Sequence, residues 1–239
     1  MAWVGLAAVV LAQICYPLAP SGGLVVATVL LGVALSVGHA GATRGARTAV
    51  ALVAFAAGGL AVEAVGVATG FPFGRYEYAA ALGPMVLGVP VVVPLAWAWM
   101  AWPAWLAATR LVSDRRLRVA VAAVALAAWD LFLDPQMVAA GYWSWSGREV
   151  PLTNYVGWLA VALVLYGGFA ALAGPRIHQP GADGPMLALY LWTYVSCVLA
   201  HAVFLDLPRS ALVGGLGMGL VALPLAVRLV APRWTLAPR

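Results

Sequence analysis

Long apolar runs separated by short polar segments dominate the pattern of this 239-residue chain. The runs are about 18 to 25 residues long, enough to cross the roughly 30 Å hydrocarbon core of a bilayer as a helix. We therefore expect an all-α fold, a polytopic membrane helix bundle of about eight transmembrane helices, with residues 1–239 forming a single integral membrane domain. The predicted spans are 2–19, 22–42, 48–69, 79–107, 117–137, 154–174, 186–206 and 211–231.

Two of these runs allow more than one interpretation. The fourth contains Pro90, Pro94 and Pro103, so it is either a kinked, tilted helix or a re-entrant element followed by a helix. We predict the kinked helix. The first run has no basic residue before it and no clean small-residue cleavage site, so we interpret it as a helix rather than as a signal peptide.

Composition and charge support a membrane location and exclude nucleic acid as a partner. The chain is 64% hydrophobic and 9% charged, whereas about a quarter of the residues are charged in an ordinary soluble domain. All thirteen basic residues are arginines, and they are scattered over short loops instead of forming a basic face.

The distribution of arginines predicts the orientation of the bundle. With a cytoplasmic N-terminus, ten arginines fall on one side and three on the other, as the positive-inside rule expects of a multi-pass cell-membrane protein with both termini cytoplasmic. The richer side has Arg44, Arg47, Arg110, Arg115, Arg116, Arg118, Arg176, Arg228, Arg233 and Arg239, and the other has Arg75, Arg148 and Arg209.

No sequence motif indicates a metal or a nucleotide. Cys15 and Cys197 lie in apolar segments, which favours two reduced side chains. The chain has no CxxC, no Gly-rich phosphate loop and no HExxH, and its three histidines, His39, His178 and His201, are far apart. We therefore expect no cofactor and no metal site, and interpret His39 as a packing or loop contact near the cytoplasmic end of its helix.

Acidic residues inside the predicted spans are the strongest candidates for chemistry. A carboxylate near the bilayer centre costs about 2.5–3.5 kcal/mol on insertion scales, and Glu63, Asp130, Asp134 and, less centrally, Asp206 are placed there. Glu63, Asp130 and Asp134 are expected at one depth, in the outer half of the bundle. The spacing of Asp130 and Asp134 puts both on one helix face, where two like charges cannot both ionise in a low dielectric. We expect this group to provide a neutral Brønsted acid in an apolar chamber.

Polar neighbours and aromatic loops surround these acids. Asn154 and His201 are predicted at about the same depth, where they either serve the acids or complete a purely structural network. Two outer loops are rich in aromatic side chains, partly as the usual interfacial belt, and suggest the lining for a hydrophobic or cationic species, since dry aromatic faces stabilise a cation by about 2 kcal/mol. The candidates are Phe71, Phe73, Tyr76, Tyr78, Tyr142, Trp143 and Trp145.

Charged residues in the same loops have two interpretations. Arg75 with Glu77, and Arg148 with Glu149, can form loop salt bridges that close the outer mouth. Alternatively, Arg75 pairs with a membrane acid and determines which of the two aspartates stays protonated. We also count Arg75 among the candidates for substrate contact.

These stretches resemble the membrane carotenoid biosynthesis proteins, the family that includes the bisanhydrobacterioruberin hydratases and the related 1,2-hydratases of acyclic carotenoid ends. The resemblance covers the central half of the chain, and adds Trp97 and Trp158 to the candidates for substrate contact. The segment 147–150 (GREV) departs from the aromatic and glycine stretch expected there. The matching segments are 70–78 (GFPFGRYEY), 82–90 (LGPMVLGVP) running to 94–97 (PLAW), 129–135 (WDLFLDP) and 151–158 (PLTNYVGW).

The resemblance implies a cofactor-independent hydration of a terminal isopropylidene double bond that gives a tertiary alcohol. Such a reaction needs an acid, a site that tolerates a tertiary cation, and a positioned water. Our hypothesis assigns the proton to Asp130 or Asp134, with the other carboxyl or Glu63 acting on the water, and Asn154 and His201 holding it. The expected partners are a lipid-soluble carotenoid, membrane lipids and other carotenoid pathway enzymes.

Three other functions stay open from the sequence. Membrane acids and histidines also form proton relays in transporters, although a relay should reach both interfaces. An end-group cyclase, isomerase or prenyltransferase would also use a carbocation, and a non-catalytic scaffold could bind carotenoid without turnover.

Overall fold

Eight α-helices account for most of the chain in the computed structural model, which describes residues 1–147, 149–173 and 181–231. The predicted all-α bundle is confirmed for these residues. Five helices, α2, α3, α6, α7 with the turn that follows it, and α8, are long and apolar enough to cross a membrane. The helices are α1 (Ala2–Leu18), α2 (Gly22–Arg44), α3 (Ala46–Thr69), α4 (Val92–Leu111), α5 (Arg115–Ala139), α6 (Leu152–Ala173), α7 (Gly184–Leu199) and α8 (Pro208–Val230).

Local sequence explains where several of these helices begin and end. The Ser21 hydroxyl accepts a hydrogen bond from the backbone N–H of Leu24 at 3.3 Å and caps α2, and Asp114 caps α5 in the same way. Helix α3 ends at Gly70, whose φ of 81° is in the left-handed region that favours glycine. Helix α7 continues as a π-helical turn, Ala200–Phe204, before Pro208 starts α8.

The predicted kinked helix over residues 79–107 is wrong in nearly its first half. Helix α4 begins at Val92, and residues 80–90 form a short 3₁₀ turn and a small hairpin. Gly83 and Gly88 take positive φ values of 93° and 79°, which turn the chain away from a helix. Pro94 falls in the first turn of α4, where a missing N–H is harmless, and Pro103 stays inside the helix. The strands are β1 (Tyr76–Tyr78), β2 (Met85–Val86), β3 (Val89–Pro90) and β4 (Trp143–Trp145).

The two aromatic loops pair with each other in a two-stranded antiparallel sheet. Tyr76 lies opposite Trp145, and Tyr78 lies opposite Trp143. Because side chains alternate between the faces of a strand, these four rings share one face while Glu77 points outward and is exposed. The sheet forms an aromatic lid over one end of the bundle.

Helix α4 is the centre of the bundle. It packs against α2, α3, α5, α7 and α8, and Trp97 and Trp102 are almost completely buried. Gly32 of α2 allows this close approach, since a Cβ there would lie 2.5 Å from ring atoms of Trp99. By contrast, the outward face of α8 exposes a row of leucines, including Leu216 and Leu220. Such a surface is suited to lipid rather than to water.

Polar contacts at the other end of the bundle join α2 to the start of α7. Arg44 and Asp183 form a buried ion pair at 2.6 Å. The Nε2 atom of His39 lies 2.8 Å from the Ala182 carbonyl oxygen, and the Trp102 indole donates to His39 Nδ1 at 3.0 Å. The interpretation of His39 as a packing or loop contact is therefore confirmed.

Some predictions concern residues outside the described part of the chain. Four of these residues are arginines that were used above for the orientation of the bundle or for a loop salt bridge, and the fifth is a histidine. The cytoplasmic placement of both termini thus stays a prediction. The residues are Arg148, Arg176, His178, Arg233 and Arg239.

Candidate active site

Glu63 of α3 is buried beneath the aromatic lid and accepts three hydrogen bonds from side chains. Its Oε2 atom accepts from the Tyr76 hydroxyl at 2.6 Å and from the Tyr78 hydroxyl at 2.8 Å. Its Oε1 atom accepts from the Trp97 indole at 3.2 Å. Hydrogen bonds of this kind stabilise the ionised form of a carboxyl and offset part of the cost of burying Glu63.

The two phenols of β1 are reliable donors to this carboxyl. Burial, followed by the nearby Glu63 charge, raises the pKa of Tyr76 and of Tyr78. Both hydroxyls are therefore protonated at physiological pH, and each has a hydrogen to donate to Glu63 Oε2.

Asp130 and Asp134 of α5 lie side by side and are bridged by one amide. The Asn154 Nδ2 atom donates to Asp130 Oδ2 at 2.8 Å and to Asp134 Oδ2 at 2.5 Å. The two carboxyls are also within hydrogen-bonding reach of each other. Asn154 is in the first turn of α6, so the positive end of that helix dipole lies beside the pair.

The two aspartates differ in their surroundings. Asp134 Oδ1 accepts from the Trp143 indole at 3.1 Å, and Asp134 lines a cavity. Asp130 lies behind it, is fully buried, and has an Oδ1 atom without a hydrogen-bond partner among the described residues. Within that part of the chain, neither aspartate forms an ion pair, and neither does Glu63. Three buried carboxyls without a cationic partner cannot all be ionised.

Aromatic rings form the walls around the carboxyls. Trp97 and Trp158 are stacked with ring centroids 3.8 Å apart and an interplanar angle of 8°. Tyr76 and Trp145, and Tyr78 and Trp143, contact across the lid at 5.5 Å. The resulting surface is rich in π faces, and none of the described residues that line it is basic. Such a surface suits a neutral or cationic hydrocarbon.

A single cavity connects these groups and extends toward α1 and α7. Its open space measures about 1190 Å³ when the mouth, which opens to the surroundings, is included. We call the part around Glu63 and Asp134 the carboxyl end. The part around Gln13, Cys197 and Ala200 is the lateral end.

The structure brings most of the predicted site residues together around this cavity. Asp130 belongs to the cluster through Asn154 and Asp134, although it does not line the cavity. The predicted site residues that line it are Glu63, Phe73, Tyr76, Tyr78, Trp97, Asp134, Trp143, Trp145, Asn154 and Trp158.

Three candidates for substrate contact and one further acid are placed elsewhere. Phe71 and Arg75 are exposed, and Tyr142 is buried against the start of α2, near Gly22, outside the cavity lining. Arg75 forms no ion pair with Glu77 or with a membrane acid among the described residues, so neither interpretation of its charge holds. Asp206 is exposed in the turn before α8.

His201 does not contact the acids or the cavity. Its Nδ1 atom lies 2.8 Å from the Cys197 carbonyl oxygen, and its Nε2 atom lies 3.0 Å from the Phe132 carbonyl oxygen. Both ring nitrogens therefore face backbone carbonyls, and the imidazole joins the π turn to α5. The contacts give no support to the predicted role of His201 in holding a water beside Asn154.

Several cavity residues were missed from the sequence. Gln13 and Tyr16 of α1, Trp99 of α4, and Trp129 and Gln136 of α5 all line it. Gln13 and Gln136 carry polar groups within apolar runs, which is the same signal that identified the carboxyls. The aromatic residues gave no signal beyond their abundance.

Metal ligation has no candidate in the described ranges, since no group of three or more His, Cys, Asp or Glu side chains is arranged to hold an ion. Cys15 and Cys197 are free, as expected.

Comparison with known proteins adds evidence from outside the chain. The family model described as "Carotenoid biosynthesis protein" matches residues 23–230. The chain is 38% identical over 133 residues to a bisanhydrobacterioruberin hydratase of Haloarcula japonica, and the match covers 50% of this chain and 45% of that relative. The chain thus spans less than half the length of this curated relative. No solved structure gives a significant match.

Proposed function

The chain belongs to the carotenoid biosynthesis protein family, and from that premise we propose that it is a carotenoid hydratase of the cell membrane. It adds water to the terminal isopropylidene double bond of an acyclic carotenoid and produces a tertiary alcohol without a cofactor. The observation that carries the proposal is the amide-bridged pair of buried carboxyls, of which Asp134 lines an aromatic cavity. The name of the Haloarcula japonica relative points to the same type of reaction.

Asp134 is the proton donor in this proposal. It is the aspartate that lines the cavity, and Asn154 and Trp143 already donate hydrogen bonds to its two oxygens. These donors stabilise the negative charge that develops on Asp134 as the proton moves to the less substituted alkene carbon. Asp130 keeps its own proton and donates it as a hydrogen bond to the new carboxylate, so it is a positioning residue.

The aromatic walls stabilise the tertiary cation that protonation creates. The stacked Trp97 and Trp158 rings, with Tyr76 and Trp145 of the lid, present π faces to the cavity. A desolvated aromatic face contributes about 2 kcal/mol to the binding of a cation. Several aromatic faces together lower the free-energy barrier to formation of the tertiary cation, which water alone would stabilise poorly.

Glu63 completes the reaction as the base. A water attacks the tertiary carbon, and the oxonium ion that results is a strong acid. A carboxylate that is weakened as a base by three donated hydrogen bonds can still accept that proton. The net change is the addition of one water across the double bond, and the proton returns from Glu63 to Asp134 through the water of the site.

A cyclase is the alternative that shares the first step. Protonation of the same double bond also begins ring closure, and the product is then an isomer of the substrate. The polar groups of Glu63 and Asn154 beside the aromatic wall favour a held water over a dry site. For this reason we place hydration ahead of cyclisation.

The test is the incubation of purified protein in detergent with lycopene, without added cofactor, followed by mass analysis of the products. We expect a product heavier than lycopene by one water. Asp134→Asn should lower the rate of its formation by about 10²–10⁴-fold, because the amide cannot donate a proton to carbon. Glu77→Gln provides the control, since Glu77 is exposed on the outer face of the lid, and should keep activity within about twofold.

The outcomes separate the proposals. An isomer of unchanged mass would replace the hydratase by a cyclase. The absence of any product from several acyclic carotenoids, with the protein folded, would contradict an enzymatic function.

A further inference from the structure

The lateral end of the cavity differs from the carboxyl end in exposure and polarity. Lining residues such as Trp97 and Asn154 are almost completely buried, whereas Gln13, Cys197 and Ala200 are half-buried. The side chains at the lateral end come from α1, α2, α5, α7 and the π turn, and none of the described residues that line the cavity there is charged. These partly exposed lining residues indicate that the cavity opens on the side where α1 meets the π turn, between side chains that carry no charge.

The rims of this opening are apolar and exposed. Ile14 and Leu18 on α1 are 42% and 66% exposed, and Val203 and Phe204 on the π turn are 64% and 50% exposed. In a bilayer, side chains of this kind contact acyl chains. The opening thus faces lipid and not the aqueous phase.

Different side-chain contacts hold the two rims of the opening in place. Helix α1 is joined to α7 by a hydrogen bond from the Trp192 indole to Gln13 Oε1 at 2.9 Å. The π turn is fixed to α5 by the His201 ring, which contacts the Phe132 carbonyl oxygen. π-helical turns are frequent at functional sites. Here the turn widens the helix where it borders the cavity.

The middle of the cavity has an unused donor. Trp99 lines the cavity, and its buried Nε1 atom has no hydrogen-bond partner among the described residues. An N–H group can make a weak hydrogen bond to a π system, so a conjugated chain placed there would offer it a partner.

We infer that the opening between α1 and the π turn is a lateral portal, through which the isopropylidene end of an acyclic polyene enters from the bilayer while the rest of its chain stays in lipid. The inference rests on the proposed function for the identity of the substrate. It explains how a water-insoluble chain reaches the carboxyl end beneath a closed lid. It also gives His201 a role in positioning the portal rather than in catalysis.

The test narrows the portal and compares long with short substrates. Ala200→Trp fills the opening, and the matched control Ala202→Trp places the same ring on the exposed face of the same turn. The substrates are lycopene in lipid vesicles and 6-methylhept-5-en-2-one, a short molecule with the same isopropylidene end. We expect the ratio of kcat/KM for lycopene to that for the short ketone to fall at least tenfold in Ala200→Trp and to change less than twofold in Ala202→Trp. Ala200→Leu should give an intermediate ratio.

An unchanged ratio in Ala200→Trp, or an equal fall in both tryptophan variants, would overturn the portal. If the wild type hydrates neither substrate, the proposed function fails, and the portal is judged from lycopene retained by the purified protein and seen by its absorption. Retention by the wild type and loss in Ala200→Trp would support the portal, and equal retention or none would overturn it.

Discussion

Asp130 and Asp134 should respond differently to the same substitution, and this difference tests the assignment of the proton donor. In Asp134→Asn the proton that reaches carbon is gone, and removal of a general acid costs about 10²–10⁴-fold. Asp130→Asn keeps the size of the side chain and an N–H that can donate to Asp134, so we expect a fall in kcat of about tenfold or less.

Asp130→Ala should lower kcat more than Asp130→Asn does. The variant removes the hydrogen bond to the developing charge on Asp134 and leaves Asn154 Nδ2 with one carboxyl partner in place of two. The loss of one preorganised donor costs about 10²–10³-fold in kcat, or about 2.7–4 kcal/mol. The expected order of kcat is therefore wild type, Asp130→Asn, Asp130→Ala and Asp134→Asn.

The assay is initial-rate formation of the hydrated product, with kcat and KM determined separately. Size-exclusion chromatography and far-UV circular dichroism identify variants that fail to fold. If Asp130→Asn lost as much activity as Asp134→Asn, the assignment of Asp134 as the donor from cavity lining would be refuted, and retained activity in Asp134→Asn would assign the proton to Asp130. Full activity in Asp130→Ala would refute its positioning role.

Three further predictions concern the aromatic wall that stabilises the cation, the donors to Glu63 and the packing of α2. Trp158→Leu should lower kcat about tenfold because it removes one π face from the site, whereas Trp158→Phe should keep most of the activity in the same assay. Tyr78→Phe removes one donor to Glu63 and should lower kcat about tenfold. Burial and the Glu63 carboxyl raise the pKa of the wild-type Tyr78 phenol. The ratio of wild-type to Tyr78→Phe activity should therefore stay constant up to about pH 10. Gly32→Ala would place a Cβ 2.5 Å from an indole ring and should destabilise the fold by about 1–3 kcal/mol in thermal unfolding, whereas Gly38→Ala, with nothing within 4 Å, should be neutral or stabilising by up to about 1 kcal/mol. A larger loss in Gly38→Ala than in Gly32→Ala would contradict the packing argument.

The helices could be predicted from the sequence because hydrocarbon thickness sets the length of an apolar run. The start of α4 could not, since residues 79–91 are as apolar as a span, and positive φ values at Gly83, Leu87 and Gly88 turn the chain there. The aromatic lid was also missed. Strand β1 pairs with β4 across more than sixty residues, and such a register depends on tertiary contacts rather than on local pattern.

The carboxyl pair was predicted because a spacing of four residues fixes the relative direction of two side chains on a helix. The expected depth of Asn154 in the membrane was sufficient to predict that it lies in the same site. Depth alone misplaced His201, whose direction depends on the rotation of α7 and on the π turn. Phe71 shares the aromatic character of Phe73 but lies on the outside of the turn. Side-chain direction in loops is not encoded by periodicity.

The most direct test of the central claim is isotopic labelling of the product. The purified protein is incubated with lycopene once in oxygen-18-labelled water and once in deuterium oxide. The account predicts a tertiary alcohol that carries one oxygen-18 in the first experiment and one non-exchangeable deuterium on the adjacent carbon in the second. An isomer of lycopene that carries deuterium but no oxygen-18 would contradict hydration and identify a cyclase, and an unlabelled carotenoid in both experiments would contradict any proton transfer to the double bond.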